Sequence, residues 1–356
     1  MMLIQAGSVR KGMWIVGLLV ILQGCGPGFF PSADVESEEP NNNFSQAQAV
    51  NADALRTVQI AGSFSAQNDL DVFSLGDLVE GETISVQMRS SRIVLGREMA
   101  LVIFDGDLNA ANAAGVSPSL IFEEVLTHVV RKSGHYYLAL SSGELFTQTY
   151  SVVVALGTET VPPPRPQTVF LNFNGISSLN IGSVRFRNLL PFSSTNLAIN
   201  HAAIAADILQ RVRNDFGNLN ISVVSSYDTF APAQPHSTIY ITGSEDGYFG
   251  LAESIDWYNE NPQDNAVVFA GSLAKSASST GRFSQLVANV VTHETGHLLG
   301  LIHTDDNTEI MDISTPTFML EMDQAFHRAP LASKEFPIGW EDTLELLTFT
   351  LGILHL

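Results

Sequence analysis

From residue 44 to about 157, apolar residues alternate with polar ones or gather in short runs. "TISVQMRS", "ALVIFDGDL", "HYYLALSS" and "TYSVVVAL" are separated by Gly, Asn, Asp and Ser. A period of two suits strands with one buried face, and no apolar stripe at helical spacing runs long enough to compete, so this region predicts an all-β sandwich. Beyond residue 168 strand and helix patterns mix. "TVFLNFNG", "NISVVSSY", "STIYITGS" and "NAVVFAGSL" read as strands, and "NHAAIAADILQRVRNDFGN" reads as an amphipathic helix closed by Gly217. In "FSQLVANVVTHETGHLLG", Phe283, Leu286, Val287, Val290 and Val291 recur at intervals of three and four, a helix buried along one face. "WEDTLELLTFTLGIL", 340–354, reads as a closing helix with Gly352 near its end. Two stretches lack any period: the acidic, proline-rich segment 25–43, a tether, and the spacer "VPPPRPQ", 161–167. The expected layout is 1–24 signal peptide, 25–43 tether, 44–160 β-sandwich, 161–167 linker and 168–356 second domain.

Composition narrows the function. Hydrophobic residues make up 45% of the 356 and charged ones 15%, enough apolar surface for two real cores. Against 17 basic residues stand 37 acidic ones, a net charge of −20 that repels phosphate backbones and anionic lipid surfaces, so nucleic acid is excluded as a partner. Cys25 is the only cysteine, which rules out an intramolecular disulfide. It ends a run of Arg10, Lys11, the apolar stretch "MWIVGLLVIL" and "LQGC", the layout of an export signal. Ten apolar residues make a helix of only about 15 Å, half a bilayer core. "LQGC" resembles a bacterial lipobox, with Leu22, Gly24 and Cys25 in place and Gln23 less usual. That resemblance implies a lipidated Cys25; ordinary cleavage leaves it a free thiol. Both readings put the chain outside the cytoplasm, periplasmic, at a cell surface or secreted, with membrane association only through the lipid.

The candidate chemistry lies in "HETGHLLGLIH", 293–303. His293 and His297 stand four residues apart, on one helical face about 6 Å apart along the axis, so both rings can reach one ion. Glu294 lies about 100° round the helix, near that ion without having to ligate it. This spacing encodes a zinc ligand pair with a general base, here Glu294. Gly300, free to adopt positive φ, turns the chain so that His303 becomes a third ligand and a fourth position is left for water. Zinc would lower the pKa of that water and polarise a scissile carbonyl, while Glu294 takes the proton and passes it to the leaving amine. The histidines at 128, 135, 201, 236, 327 and 355 share no ligand spacing and read as surface or hydrogen-bonded residues.

"HETGHLLGLIH" followed by "TEIMD" resembles the metzincin zinc endopeptidases. The resemblance implies an α+β domain with a twisted mixed sheet, an active-site helix and a methionine turn. It makes His293, His297 and His303 the zinc ligands and Glu294 the base, with Met311 packed beneath the metal, and it implies protein or peptide substrates. It also makes "GLAESIDW", 250–257, the edge strand that an extended peptide pairs with; as sequence alone, that stretch reads equally as an ordinary strand and loop. Ile313 stands where some branches carry a tyrosine, so that auxiliary role is not carried over. "EEPNNNFSQAQAV", "GSFSAQNDLDVFSL" and "SGHYYLALSS" resemble the bacterial pre-peptidase C-terminal domain, which implies an accessory sandwich. Asp69, Asp71, Asp105 and Asp107 in that region read first as turn residues, with calcium binding as the alternative. Asp305, Asp306 and Asp312 are either solvated loop acids or orienting partners of the ligand histidines. The alternative to a peptidase is a zinc-containing surface lipoprotein that binds without cleaving, to which a retained Glu294 would be of no use.

Overall fold

The computed structural model describes residues 34–35, 39–50, 56–66, 69–90, 100–115, 123–142, 148–195, 200–313, 316 and 318–354. The signal, Cys25 and most of the tether lie outside the described residues, as does His355. Chain contacts divide the protein into two compact units that meet in sequence between Pro162 and Pro163. Among the described residues no helix is long and apolar enough to cross a membrane.

Among the described residues the first unit holds ten strands: β1 (Asp34–Val35), β2 (Gln48–Ala49), β3 (Thr57–Phe64), β4 (Leu70–Leu78), β5 (Glu82–Ser90), β6 (Ala100–Phe104), β7 (Ala110–Gly115), β8 (Glu123–Val129), β9 (Gly134–Ser141) and β10 (Gln148–Thr158). They form two five-stranded sheets, ordered β1-β3-β10-β5-β8 and β2-β4-β9-β6-β7. Alternate residues from both, such as Ile84, Val86 and Met88 of one and Leu101, Ile103, Leu138 and Leu140 of the other, fill a single core, as period-two patterning requires. His128 faces that core, 2% exposed rather than at the surface, and burial holds it neutral with its pKa lowered to about 3. The four sandwich aspartates do not form one group. Asp105 Oδ1 accepts the amides of Asp107 and Asn109 at 3.0 and 2.9 Å, which is turn chemistry. Asp69 and Asp71 instead converge with Glu39, one carboxylate oxygen of each within 4.8 Å of the others.

The second unit is built on β11 (Gln167–Asn172), the hairpin β12 (Ile176–Ile181) and β13 (Val184–Leu189), α1 (His201–Phe216), β14 (Ile221–Ser225), β15 (Ser237–Thr242), β16 (Gly250–Ala252), β17 (Asn265–Phe269), α2 (Ala270–Ala274), α3 (Thr280–His297), β18 (Arg328–Pro330), β19 (Trp340–Asp342) and α4 (Thr343–Leu351). Its main sheet runs β14-β11-β15-β17-β16, the first four strands parallel and β16 antiparallel at the edge. Asn200 and Ser279 cap α1 and α3 with side-chain oxygens, and Gly217 ends α1 at φ +52°. The sheet face carrying Val169, Leu171, Ile239, Ile241 and Val268 packs on α1 and α3. Phe269, Val267 and Leu251 project from the opposite face and are covered by the β12–β13 hairpin through Leu179, Ile181, Phe186 and Leu189. Sequence periodicity shows only one face of α3 buried, whereas every residue from Phe283 to His297 is buried in the folded chain. Two local boundaries also differ: the "NAVVFAGSL" strand gives way to α2 at Ala270, and the closing helix starts at Thr343 after a short strand.

The loop after β16 is fixed by a buried polar relay. Asn259 Nδ2 donates to Gln167 Oε1 at 3.3 Å, Gln167 Nε2 to Ser237 Oγ at 2.7 Å, and Ser237 Oγ to Asp264 Oδ1 at 2.7 Å. Tyr258 and Asn259 adopt φ of +60° and +53° there. Burial, with Asp256 and Glu253 nearby, raises the Asp264 pKa from 3.8 to about 8. Between those values the folded chain keeps a proton that the unfolded chain has lost. The stability this contributes is complete below 3.8 and is lost as pH rises toward about 8. Asp264→Asn keeps the acceptor for Ser237 and no longer titrates. It is expected to melt above wild type at pH 8 and to flatten the pH dependence of the melting temperature between about 4 and 8; parallel pH profiles of the two proteins would reject this.

Candidate metal centre

The end of α3 is where the buried helix turns polar. His293 and His297 lie one turn apart on it, and Gly300 (φ +101°) reverses the chain. The helix closes with the Leu301 amide on the Gly296 carbonyl at 2.9 Å and the Gly300 amide on the His297 carbonyl at 3.1 Å. A side chain at Gly300 is doubly excluded: a Cβ there would stand 2.9 Å from Trp257 Cα and 3.0 Å from the Tyr258 nitrogen. The reversal delivers His303, and one ring nitrogen of each of the three histidines lies within 4.8 Å of the others.

Each Nδ1 is already committed. His293 donates to the Ile310 carbonyl at 2.8 Å, His297 to the Leu301 carbonyl at 2.9 Å, and His303 to Glu335 Oε1. These bonds fix the tautomer and leave Nε2 of each ring with its lone pair toward the common point. His297 Nε2 and His303 Nε2 are 3.1 Å apart, and His293 Nε2 has no partner. Zn–N bonds of about 2.0–2.1 Å in a tetrahedron place ligand nitrogens roughly 3.3 Å apart, close to the His297–His303 separation, and an all-imidazole donor set suits a zinc ion. Burial, reinforced by the neighbouring imidazoles, lowers the His293 pKa to about 3 and holds that of His297 well below its ordinary value. These two rings are thus in the neutral form a metal needs.

Glu294 is fully buried, and neither carboxylate oxygen has a partner of hydrogen-bonding geometry. Burial pushes its pKa well above the usual carboxylate range, countered in part by the Ala252 backbone. It lies against the edge strand, where a Cβ on Gly250 would collide with its carboxylate. Two orphaned carboxylate oxygens and an orphaned imidazole nitrogen on neighbouring residues, all buried, are costly unless a cation or a water held by one compensates them. Met311 is fully buried, and its Sδ would stand 2.5 Å from a Cβ at Gly296, so the absence of a side chain between the two helical histidines is what admits it.

Sequence reasoning missed three acids near the third histidine. Glu335 holds His303, Glu341 Oε1 accepts the Ile302 amide at 2.8 Å, and Glu309 Oε2 accepts the Thr304 hydroxyl at 3.0 Å and the Met311 amide. Burial raises the Glu309 pKa to about 7 and pushes that of Glu341 well above the ordinary range. The nearer acids do other work. Asp305 accepts the Ser333 amide and Asp306 caps Thr308, while Asp312 is buried beside the Met311 turn; every Nδ1 of the triad is held elsewhere. Glu335→Ala is expected to weaken zinc binding by about 10–100-fold, read by chelator competition; an unchanged affinity would show that the His303 ring is fixed by its packing alone.

Residues 218–312, from the turn before β14 through α3 to the residue after Met311, match the Zincin-like metallopeptidase family. In this stretch the chain is therefore similar to zinc-dependent peptidases, which agrees with the histidine geometry. No curated protein sequence matches. Among solved structures, archaemetzincin from Methanopyrus kandleri is 14% identical over 45% of this chain and 87% of that one, with a TM-score of 0.28. Archaemetzincin from Archaeoglobus fulgidus is 15% identical over 45% and 93%, TM-score 0.26. The pre-peptidase C-terminal domain of collagenase from Bacillus anthracis is 19% identical over 31% and 94%, TM-score 0.22.

Proposed function

We propose that the chain is a metzincin-like zinc endopeptidase, exported and tethered through Cys25 or secreted, with the sandwich as an accessory domain of the pre-peptidase C-terminal kind. The observation that carries the reading is the convergence of three imidazole nitrogens at the helix end where Glu294, next to His293 in the chain, is buried with neither oxygen partnered. His293, His297 and His303 would hold zinc, with their rings fixed by Ile310, Leu301 and Glu335. When bound, the ion polarises the scissile carbonyl and brings the pKa of its water toward neutrality. Glu294, which a neighbouring cation would keep ionised against the effect of burial, takes the proton of the attacking water on its carboxylate and returns it to the leaving nitrogen. At the sheet's edge β16 can accept an extended peptide as an added strand, which lays the scissile bond past Glu294. Met311 supports the two helical ligands from below. The export layout and the lipobox-like "LQGC" support the location. The test is hydrolysis of an unfolded protein substrate by the purified chain, alone, with a zinc chelator, and after zinc is restored. Activity lost and regained upholds the reading, and equal activity in all three rejects it.

A further inference from the structure

Building on the zinc reading above, we propose that Glu341 is a positioning residue for the third ligand, acting through the Ile302 amide, with Glu309 as its partner through Thr304. Three consecutive residues, Ile302, His303 and Thr304, are each gripped by a different glutamate. Glu341 takes the Ile302 amide at 2.8 Å, Glu335 the His303 amide at 3.4 Å and its ring, and Glu309 the Thr304 hydroxyl at 3.0 Å. The imidazole sits at the centre of this cradle. Glu309 also takes the Met311 amide, and the Met311 carbonyl in turn accepts the Thr304 amide at 3.0 Å. That pair ties the ligand segment to the methionine packed against Gly296, so His303 is set relative to the other two ligands.

Glu309 and Glu341 are both fully buried. Burying a carboxylate costs far more than burying a backbone carbonyl that would satisfy the same amide. A role confined to filling or to one hydrogen bond leaves that expense unexplained. Each glutamate also keeps one oxygen, Glu309 Oε1 and Glu341 Oε2, with no protein partner. Carboxyl groups gathered behind a ligand segment orient the imidazole by fixing the backbone and the hydroxyl on either side of it.

The test uses the full chain as wild type, Glu341→Leu and Glu341→Gln. Zinc content, zinc affinity by chelator competition, kcat and KM for a peptide, and melting of the metal-free protein are measured. Leucine removes the acceptor; glutamine retains an oxygen for the Ile302 amide. Glu341→Leu is expected to weaken zinc binding at least tenfold and to lower kcat with KM nearly unchanged, and Glu341→Gln to restore affinity to within about threefold of wild type. Wild-type zinc affinity in Glu341→Leu, with one zinc bound to the wild-type chain, overturns the inference and leaves the peptidase reading standing. A wild-type chain that binds no zinc rejects both. Should Glu341→Leu fail to fold, Glu341→Asp draws the acceptor back by one methylene. A tenfold loss there supports the proposal, and wild-type affinity there overturns it.

Discussion

Glu294→Gln lowers kcat/KM for peptide hydrolysis by about 10²–10⁴-fold while the protein keeps its zinc and its fold. The substitution is nearly isosteric, so the amide fits the space that Gly250 leaves beside β16. It cannot accept a proton from the attacking water. The three histidines hold their ring orientations through Ile310, Leu301 and Glu335, none of which the change touches. Burial already disfavours the charged carboxylate, so the metal-free variant should melt no lower than wild type. Initial rates on one peptide, with zinc measured in the same preparations, decide the matter. A variant that cleaves at the wild-type rate with zinc bound removes Glu294 from the chemistry.

The second large effect falls on a residue with no functional group. Gly300→Ala places a methyl group against the backbone of Trp257 and Tyr258, which has no flexible end to move aside, at a φ of +101° that an alanine resists. Strain and overpacking of this kind cost about 1–3 kcal/mol each, which lowers the melting temperature by roughly 5–15 °C. The damage is directional as well. The Asp256 amide bonds the His297 carbonyl at 2.9 Å, so pushing this loop away from Gly300 pulls on a ligand. Zinc affinity should therefore fall together with stability. Gly247→Ala is the internal control, because a Cβ there meets nothing within 4 Å; equal melting of the two variants would defeat the argument.

How much of this was legible follows from how far apart the cooperating residues lie in the chain. The triad, the base and the bend fall within eleven residues, and Met311 follows eight positions later. Helix geometry relates such neighbours directly, so periodicity and spacing were enough to group them. The strands of the main sheet, too, announce themselves as short apolar runs. Glu335 and Glu341 act from 32 and 39 residues away in sequence, and nothing local marks either as different from any other glutamate. Proximity in sequence pointed instead at Asp305, Asp306 and Asp312, which accept loop amides or pack beside Met311 while other groups hold each ring Nδ1. The β12–β13 hairpin was also missed, because a strand pair lying over a sheet face exposes about half its residues and dilutes the apolar signal. Gly250 is the reverse case, a glycine in an edge strand whose meaning appears only once Glu294 is placed beside it.

The cradle around His303 has a consequence for the order of events during synthesis. Domains fold as units as the chain emerges, N-terminal parts first, at about 5–20 residues per second. The whole recognisable motif is therefore outside the ribosome seconds before Glu335 and Glu341 are. During that interval the nascent chain has a motif without its supports, and a metal captured then would be held by two helical imidazoles and an unsteady third. Delaying tight capture until the last strands and α4 are in place would favour loading of the ion after folding, in whatever compartment the finished chain reaches.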